Sequence, residues 1–150
     1  MGSEQSAVES GQFAVGSGHR KGEEMKAETW RDLIAYRTAF ELQQSIFEVS
    51  KGFPREEVFA LIDQIRRSSR SVGANISEAW RKRRYEAHFV SKLTDADAEN
   101  AETQHWVDTA LACGYLTQEQ RDGLISTSEE VGRLLGSLIQ SASQWCPSAH

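Results

Sequence analysis

Four consecutive basic residues, Arg81, Lys82, Arg83 and Arg84, form the densest charge in the sequence and could bind phosphate groups. Segment 66–84 holds seven basic residues and one acid, a net charge of +6. The whole chain carries −5, so the remainder carries −11, and bulk charge gives no reason to expect nucleic-acid binding. The cluster is either a surface that binds phosphates without reading bases or a solvated turn, and the sequence alone favours the turn.

Two further arginines, Arg66 and Arg70, are expected to face acids of the following helix. If the second and third helices run antiparallel about a turn near residue 83, these arginines lie level with residues near 100 and 96. Asp95, Glu99 and Glu102 share one side of the third helix there, at positions i, i+4 and i+7. Because a guanidinium matches a carboxylate with two hydrogen bonds, these residues predict an ion-pair network within the chain or across a subunit contact.

Other polar residues give weaker indications of chemistry. Asn75 and Glu78 lie on consecutive turns beside an apolar stripe, which predicts a buried polar network in the bundle or at a subunit seam. A catalytic or small-molecule site is the alternative, but no nucleophile–base pair accompanies them. Glu102 and His105 form a single Glu-x-x-His, whereas a di-iron bundle needs two, so we expect no metal and no cofactor. Cys113 is expected to be a small buried residue at a helix end.

The elements that position these residues are helices. The spacing of apolar residues predicts four amphipathic helices over about residues 29–50, 53–84, 85–113 and 117–146. No strand alternation is found, so the predicted fold is an all-α, up-down-up-down four-helix bundle covering residues 29–146. Residues 1–28, rich in Ser, Gly and Glu, are predicted to be a disordered leader, and residues 147–150 a tail.

The lack of a long apolar run predicts no membrane partner. Only two cysteines occur, which indicates a reduced, cytoplasmic setting.

Particular residues mark the helix ends. Thr29 with Asp32, and Thr117 with Gln120, match the capping box that begins a helix. Pro54 suits the first turn of the second helix, because its missing N–H would have no partner there. The second helix is predicted to bury seven residues: Val58, Leu61, Ile62, Ile65, Ser69, Val72 and Ile76. The third is predicted to bury seven as well: Phe89, Leu93, Ala96, Asn100, Thr103, Val107 and Ala110.

Gly73 lies inside the second predicted helix, where glycine is less favourable than alanine by about 1 kcal/mol. A local bend or the close approach of a neighbouring helix would explain it, and we favour the bend.

Several stretches together resemble a known family. They are WRDLIAYRTAFEL at Trp30–Leu42, FPREEVFALIDQIRRSSRSVGANISEA at Phe53–Ala79, AETQ at Ala101–Gln104 and ACGYL at Ala112–Leu116. The sequence thus resembles the four-helix-bundle proteins encoded in intervening sequences of bacterial 23S ribosomal RNA genes. That family is in turn similar to the accessory variability determinant of diversity-generating retroelements. This chain departs from the pattern at Gly73, where members often have Pro, and at Ala79, where they often have Gly.

The resemblance implies a four-helix protomer that assembles into a homopentameric ring. For the retroelement relatives it implies a basic surface that engages RNA and a reverse transcriptase, whereas the intervening-sequence members have no established activity. We therefore expect a non-enzymatic, homo-oligomeric interaction scaffold that binds RNA or a nucleic-acid enzyme. The alternatives are a small-molecule or metal-binding bundle and a self-assembling protein without a ligand.

Overall fold

The computed structural model describes residues 27–147, which form four long α-helices and a short one. Their bounds are α1 Ile34–Ser50, α2 Leu61–Arg81, α3 Glu86–Ala112, α4 Gln118–Gln140 and α5 Ala142–Trp145. One-turn 3₁₀ helices at Trp30–Asp32 and Arg55–Glu57 precede α1 and α2. No strand occurs within residues 27–147, and the predicted all-α four-helix bundle is confirmed.

Each long helix packs against its neighbours in sequence, and α4 closes the bundle by packing against α1. Contacts between side chains show that neighbours run antiparallel. Along α2 and α3, Arg67 meets Glu102 near one end of the pair, and Glu78 meets Lys92 near the other. The short turns 82–85 and 113–117 leave no length for a crossover, so the topology is up-down-up-down.

Both predicted capping boxes are present. The Thr29 hydroxyl accepts from the backbone of the first 3₁₀ turn, and Thr117 and Gln120 cap α4 reciprocally. Leu33 is extended, with ψ of 130°, so α1 begins at Ile34 and not at Thr29 as predicted. After α3, Gly114 has a φ of +78°, the left-handed conformation that glycine adopts without a Cβ clash.

The predicted start of the second helix, at residue 53, is wrong by eight residues. Pro54 precedes a 3₁₀ turn in which Glu57 N–H donates to the Pro54 carbonyl at 2.9 Å. Three-residue turns continue to Ala60, whose N–H donates to the Glu57 carbonyl, and the wider α-helical pattern begins only at Leu61. Val58 is consequently 43% exposed and lies outside the core, contrary to the prediction. At its other end the helix stops at Arg81, before the predicted Arg84.

The core has two apolar halves separated by a layer of polar side chains. All seven residues predicted for the buried face of the third helix are buried. Two of them, Asn100 and Thr103, belong to the layer together with Ser68, Ser69 and Ser128. Asn100 donates to the Ser128 carbonyl at 2.9 Å and accepts from the Ser128 hydroxyl at 2.8 Å. Thr103 donates to the Ser68 hydroxyl at 3.0 Å, so the layer ties α3 to both α2 and α4.

Gly73 lies in the uninterrupted interior of α2, beside α1. A Cβ built on Gly73 would lie 3.4 Å from Cε1 of Tyr36, an ordinary van der Waals contact that leaves little further room. The Tyr36 ring of α1 therefore lies close enough to admit a methyl group at Gly73 but little more, and the bend that the sequence favoured stays a prediction.

The predicted leader falls mostly outside the described residues. Of its last two residues, Ala27 packs against the core and Glu28 donates its backbone N–H to Asp32. No helix within residues 27–147 combines the length and the apolar character needed to cross a membrane.

The contact at Gly73 predicts opposite effects for small and large substitutions. Gly73→Ala should raise the free energy of unfolding by about 0.5–1 kcal/mol, because alanine favours the helix and its methyl group fits. Gly73→Leu should lower it by about 1–3 kcal/mol, because the side chain must displace Tyr36. Gly136 is the matched control, since it is exposed in α4 with open space around it. Equal stability of Gly73→Leu and Gly136→Leu in urea unfolding would contradict the close approach.

Candidate functional site

The basic turn, defined as Arg81, Lys82, Arg83 and Arg84, joins α2 to α3. Arg81, Lys82 and Arg84 are exposed, and none of the four forms an ion pair within the described part of the chain. Arg83 is half-buried, with its guanidinium 3.8 Å above the Trp80 ring and a hydrogen bond of 2.9 Å to the Trp80 carbonyl. The buried Trp80 thus fixes one cation, while three stay in solvent near the negative end of the α2 dipole.

The predicted pairing of Arg66 and Arg70 with acids of the third helix is wrong within the chain. Both guanidiniums lie over the Phe47 ring of α1, at 4.7 and 5.7 Å from its centroid. Arg66 also donates from Nε to the Ser50 hydroxyl at 2.7 Å. The two side chains therefore face α1 and not α3. Whether either one meets an acid across a subunit contact stays a prediction.

Arg67, one residue further along α2, makes the ion pairs instead. Its guanidinium donates to Glu102 at 2.7 Å and to Glu99 at 3.5 Å. One residue turns an α-helix by about 100°, which moves the side chain from the α1 side of α2 to the α3 side. The Trp106 indole also donates to Glu102, and this bond, together with Arg67, lowers the pKa of the Glu102 carboxyl. The remaining predicted acid, Asp95, pairs with Lys92 at 3.6 Å.

Asn75 and Glu78 do not form the buried network that the sequence predicted within the chain. Asn75 is half-buried and donates to the carbonyl of Ser71 in its own helix. Glu78 is largely exposed and pairs with Lys92 at 3.3 Å. The buried network lies one helix further on, where Asn100 and Ser128 meet. The sequence predicts that Asn100 lies on the buried face of the third helix, and a buried position is the signal that points to Asn100 as a member of this network.

An open groove of about 640 Å³ runs along the outward side of α2 and was missed by sequence reasoning. It is lined by three apolar residues at one end and by a stripe of α2: Val58, Phe59, Ile62, Asp63, Arg66, Arg67, Arg70, Ser71 and Ala74. Phe59 is 94% exposed. The stripe could have been found from its spacing of three and four residues, which is that of a surface facing a neighbouring helix. We call this surface the α2 groove.

The segment that carries Phe59 is fixed by Glu57. The Glu57 carboxylate accepts from the Tyr115 hydroxyl at 2.8 Å and from the backbone N–H of Leu61 at 3.4 Å. The first bond ties the segment to the turn after α3, and the second gives the first backbone N–H of α2 an acceptor. The hydrogen bond to Glu57 raises the pKa of Tyr115 to about 12. Phe59 is thus exposed on a segment that is held in place.

The residues that the sequence offered for metal or thiol chemistry are Glu102, His105 and Cys113. Glu102 is occupied by Arg67 and Trp106, and His105 is exposed. No group of three or more His, Cys, Asp or Glu residues within 27–147 could hold a metal ion. Cys113 is exposed, and the prediction that it is buried is wrong, because it caps α3 where the chain turns into solvent.

Comparisons with known proteins agree with the resemblance drawn from the sequence. The profile of the family described as 23S rRNA-intervening sequence protein matches residues 31–137. A crystal structure of a protein with unknown function, from the S23 ribosomal protein family of Bacteroides thetaiotaomicron VPI-5482, is 32% identical with a TM-score of 0.65. The match covers 71% of this chain and 96% of that one. No curated protein matches this chain.

The difference between the two asparagines gives a stability prediction. Asn100→Ala should lower the free energy of unfolding by about 2–4 kcal/mol, because it removes the acceptor of the buried Ser128 hydroxyl and the donor to the Ser128 carbonyl, and opens a cavity. Asn75→Ala is the matched control and should change it by about 0.5 kcal/mol or less, since its bond is local and half-exposed. Chemical unfolding of both variants measures the difference, and equal losses would contradict the assignment of the polar layer.

Tyr115 gives a prediction for the pH dependence. Its pKa of about 12 in the folded chain exceeds the ordinary value of about 10, so the stabilisation from its bond to Glu57 is fully present below pH ~10. That stabilisation is lost as the pH rises through about 12. An absorbance titration of the folded chain should show one tyrosinate step near pH 12, which Glu57→Ala moves towards 10. Ionisation of Tyr115 near pH ~10 while the helices persist would refute the bond.

Proposed function

Because the chain belongs to the family of 23S rRNA-intervening sequence proteins, we propose that it is a non-enzymatic, homo-oligomeric scaffold that binds RNA through its basic turn. The observation that carries this proposal is the set of four consecutive cations without a carboxylate partner in the described part of the chain. Cations in water that are not neutralised by neighbours release the condensed counterions of a nucleic acid when they meet its phosphates.

An exposed aromatic ring next to the turn supports RNA as the ligand. Tyr85 is 57% exposed and follows the four cations directly. Arg84 lies 5.7 Å from the centre of its ring, and His88 packs against the ring at 5.4 Å. Unpaired RNA bases stack on such rings, whereas the surrounding arginines hold the phosphates. The turn would therefore bind by charge, shape and stacking, with little discrimination between base sequences.

Self-assembly would place several copies of the basic turn, each a weak binding site, on one particle. The proposed ring of five copies follows from the resemblance given above, and it would present about twenty cations on one rim. Phe40, 46% exposed on α1, is an apolar side chain available for contact between copies. The same rim could bind a nucleic-acid enzyme such as a reverse transcriptase while the enzyme holds RNA. A cytoplasmic location is part of this proposal.

The test uses a labelled RNA hairpin and a variant that changes only the exposed cations of the turn. Arg81→Gln, Lys82→Gln and Arg84→Gln are combined, and Arg83 is kept because it packs on Trp80. We expect at least a tenfold loss of affinity at about 0.15 M salt, and a slope of log K against log salt that is shallower by about 2.

The matched control combines Arg37→Gln, Lys51→Gln and Arg133→Gln. It also removes two arginines and one lysine, but from exposed positions scattered over the chain. Equal affinities and slopes for the two triple variants would remove the basic turn from the proposal. Light scattering of the unmodified chain tests the assembly separately. The mass of a single chain at micromolar concentration would overturn the ring but not RNA binding by the turn.

A further inference from the structure

The α2 groove is a second surface with a different character from the basic turn. Six of its residues, from Asp63 to Ala74, follow one another at spacings of three, one, three, one and three. This is the stripe that an α-helix presents to a helix packed beside it. It extends over about 16 Å, or three helical turns, and none of the helices within residues 27–147 covers it.

We propose that the α2 groove docks an acidic amphipathic helix of a partner protein, with apolar side chains against Phe59, Val58 and Ile62 and carboxylates on Arg66 and Arg70. The small residues Ser71 and Ala74 at the far end let the backbone of the partner approach closely. This is the helix-in-groove mode of recognition, in which side chains on one helical face occupy a groove.

Phe59 is the apolar anchor. Its ring is 94% exposed, and the hydrogen bonds that Glu57 accepts from Tyr115 and Leu61 hold its segment in place. The partner therefore meets an aromatic ring that needs little ordering on binding. Buried aromatic anchors surrounded by weaker contacts account for most of the affinity of protein interfaces.

Arg66 and Arg70 provide the charge complementarity. Both line the groove, and neither has a carboxylate partner in the described part of the chain. Phe47 lies beneath both guanidiniums, and the Ser50 hydroxyl accepts from Arg66, so the pair is oriented before a ligand arrives. Guanidiniums held in this way suit carboxylates, which they bind with two parallel hydrogen bonds.

The balance of charge favours a protein over a nucleic acid here. The three arginines of the groove are offset by Asp63 in its lining and by Glu99 and Glu102 on Arg67. The local charge is therefore near zero, and a nucleic acid would gain little affinity from its phosphates here. A helix that places isolated carboxylates on two arginines and apolar residues elsewhere matches the surface. A small molecule would leave the outward side of Phe59 in water, since the groove is open.

A second copy of this chain is the weaker candidate for the occupant. Within residues 27–147, Phe40 is the only large apolar side chain that its four long helices expose, so none of them offers an apolar stripe of several residues. The occupant must be a helix whose apolar face is not used within its own fold.

A displayed library of helical peptides of about sixteen residues, long enough to span the stripe, is selected against the full chain. We expect enriched peptides to carry large apolar residues at i, i+3, i+4 and i+7 with Asp or Glu beside them. Phe59→Ala should weaken the best peptide about thirtyfold, and Arg66→Gln with Arg70→Gln about tenfold. Phe40→Ala, and Arg37→Gln with Arg133→Gln, are the matched controls and should leave it unchanged.

The other outcomes overturn the proposal. Peptides without the acidic and apolar pattern, or equal binding by Phe59→Ala and Phe40→Ala, would exclude the groove as the docking site. Loss of assembly in Phe59→Ala, measured as a drop in mass, would make a second copy the occupant. Loss of hairpin RNA binding in the Arg66 and Arg70 variant, relative to its control, would make the groove an RNA site. Melting temperatures show that each variant is folded, and removing the Phe59 ring should leave them unchanged, because it is 94% exposed.

Discussion

The hydrogen bonds between Asn100 and Ser128 and between Thr103 and Ser68 fix the positions of three helices relative to one another. Apolar packing alone tolerates some sliding of one helix along another, because one leucine side chain can take the place of another in the same gap between side chains. Helices joined by buried amides and hydroxyls cannot slide in this way, because each buried polar group that loses its partner lowers the free energy of unfolding by about 1–3 kcal/mol. The layer divides two apolar halves, and within residues 27–147 no buried side-chain polar atom lacks a partner. The register of the bundle is therefore set at its middle, and the outer surfaces follow from it.

The register and rotation of α2 decide which cations are available. Arg67 is turned towards α3 and is neutralised by Glu99 and Glu102. Arg66 and Arg70 are turned towards Phe47, whose ring orients them without cancelling their charge. A rotation of α2 by one residue, about 100°, would move either Arg66 or Arg67 to a buried position and bring one of the two serines, Ser68 or Ser69, out of the layer. The same constraint that stabilises the core thus leaves two oriented guanidiniums at the surface.

Much of the fold could be predicted from the sequence, and the failures have physical causes. The buried face of α3 and the cap at Thr117 depend on local spacing and chain geometry, so they were confirmed. The partner of Arg66 depends on a rotation of about 100° per residue and on the register between helices, which local spacing does not fix. Asn100, not Asn75, joins the buried network, because its burial is set by the packing of α4. The groove depends on the late start of α2, which sequence reasoning did not anticipate.

The two outer surfaces differ in how they would respond to their surroundings. The basic turn lies in water and holds its charge without neutralisation, so the proposed contacts with RNA phosphates would weaken steeply as salt rises. The α2 groove has almost no net charge and combines an exposed aromatic ring with two oriented arginines, so apolar burial would supply most of its affinity. Under the two proposals taken together, one chain would hold a nucleic acid by a strongly salt-dependent contact and a protein by a contact that depends on salt less. A scaffold built in this way would keep its protein partner while exchanging RNA.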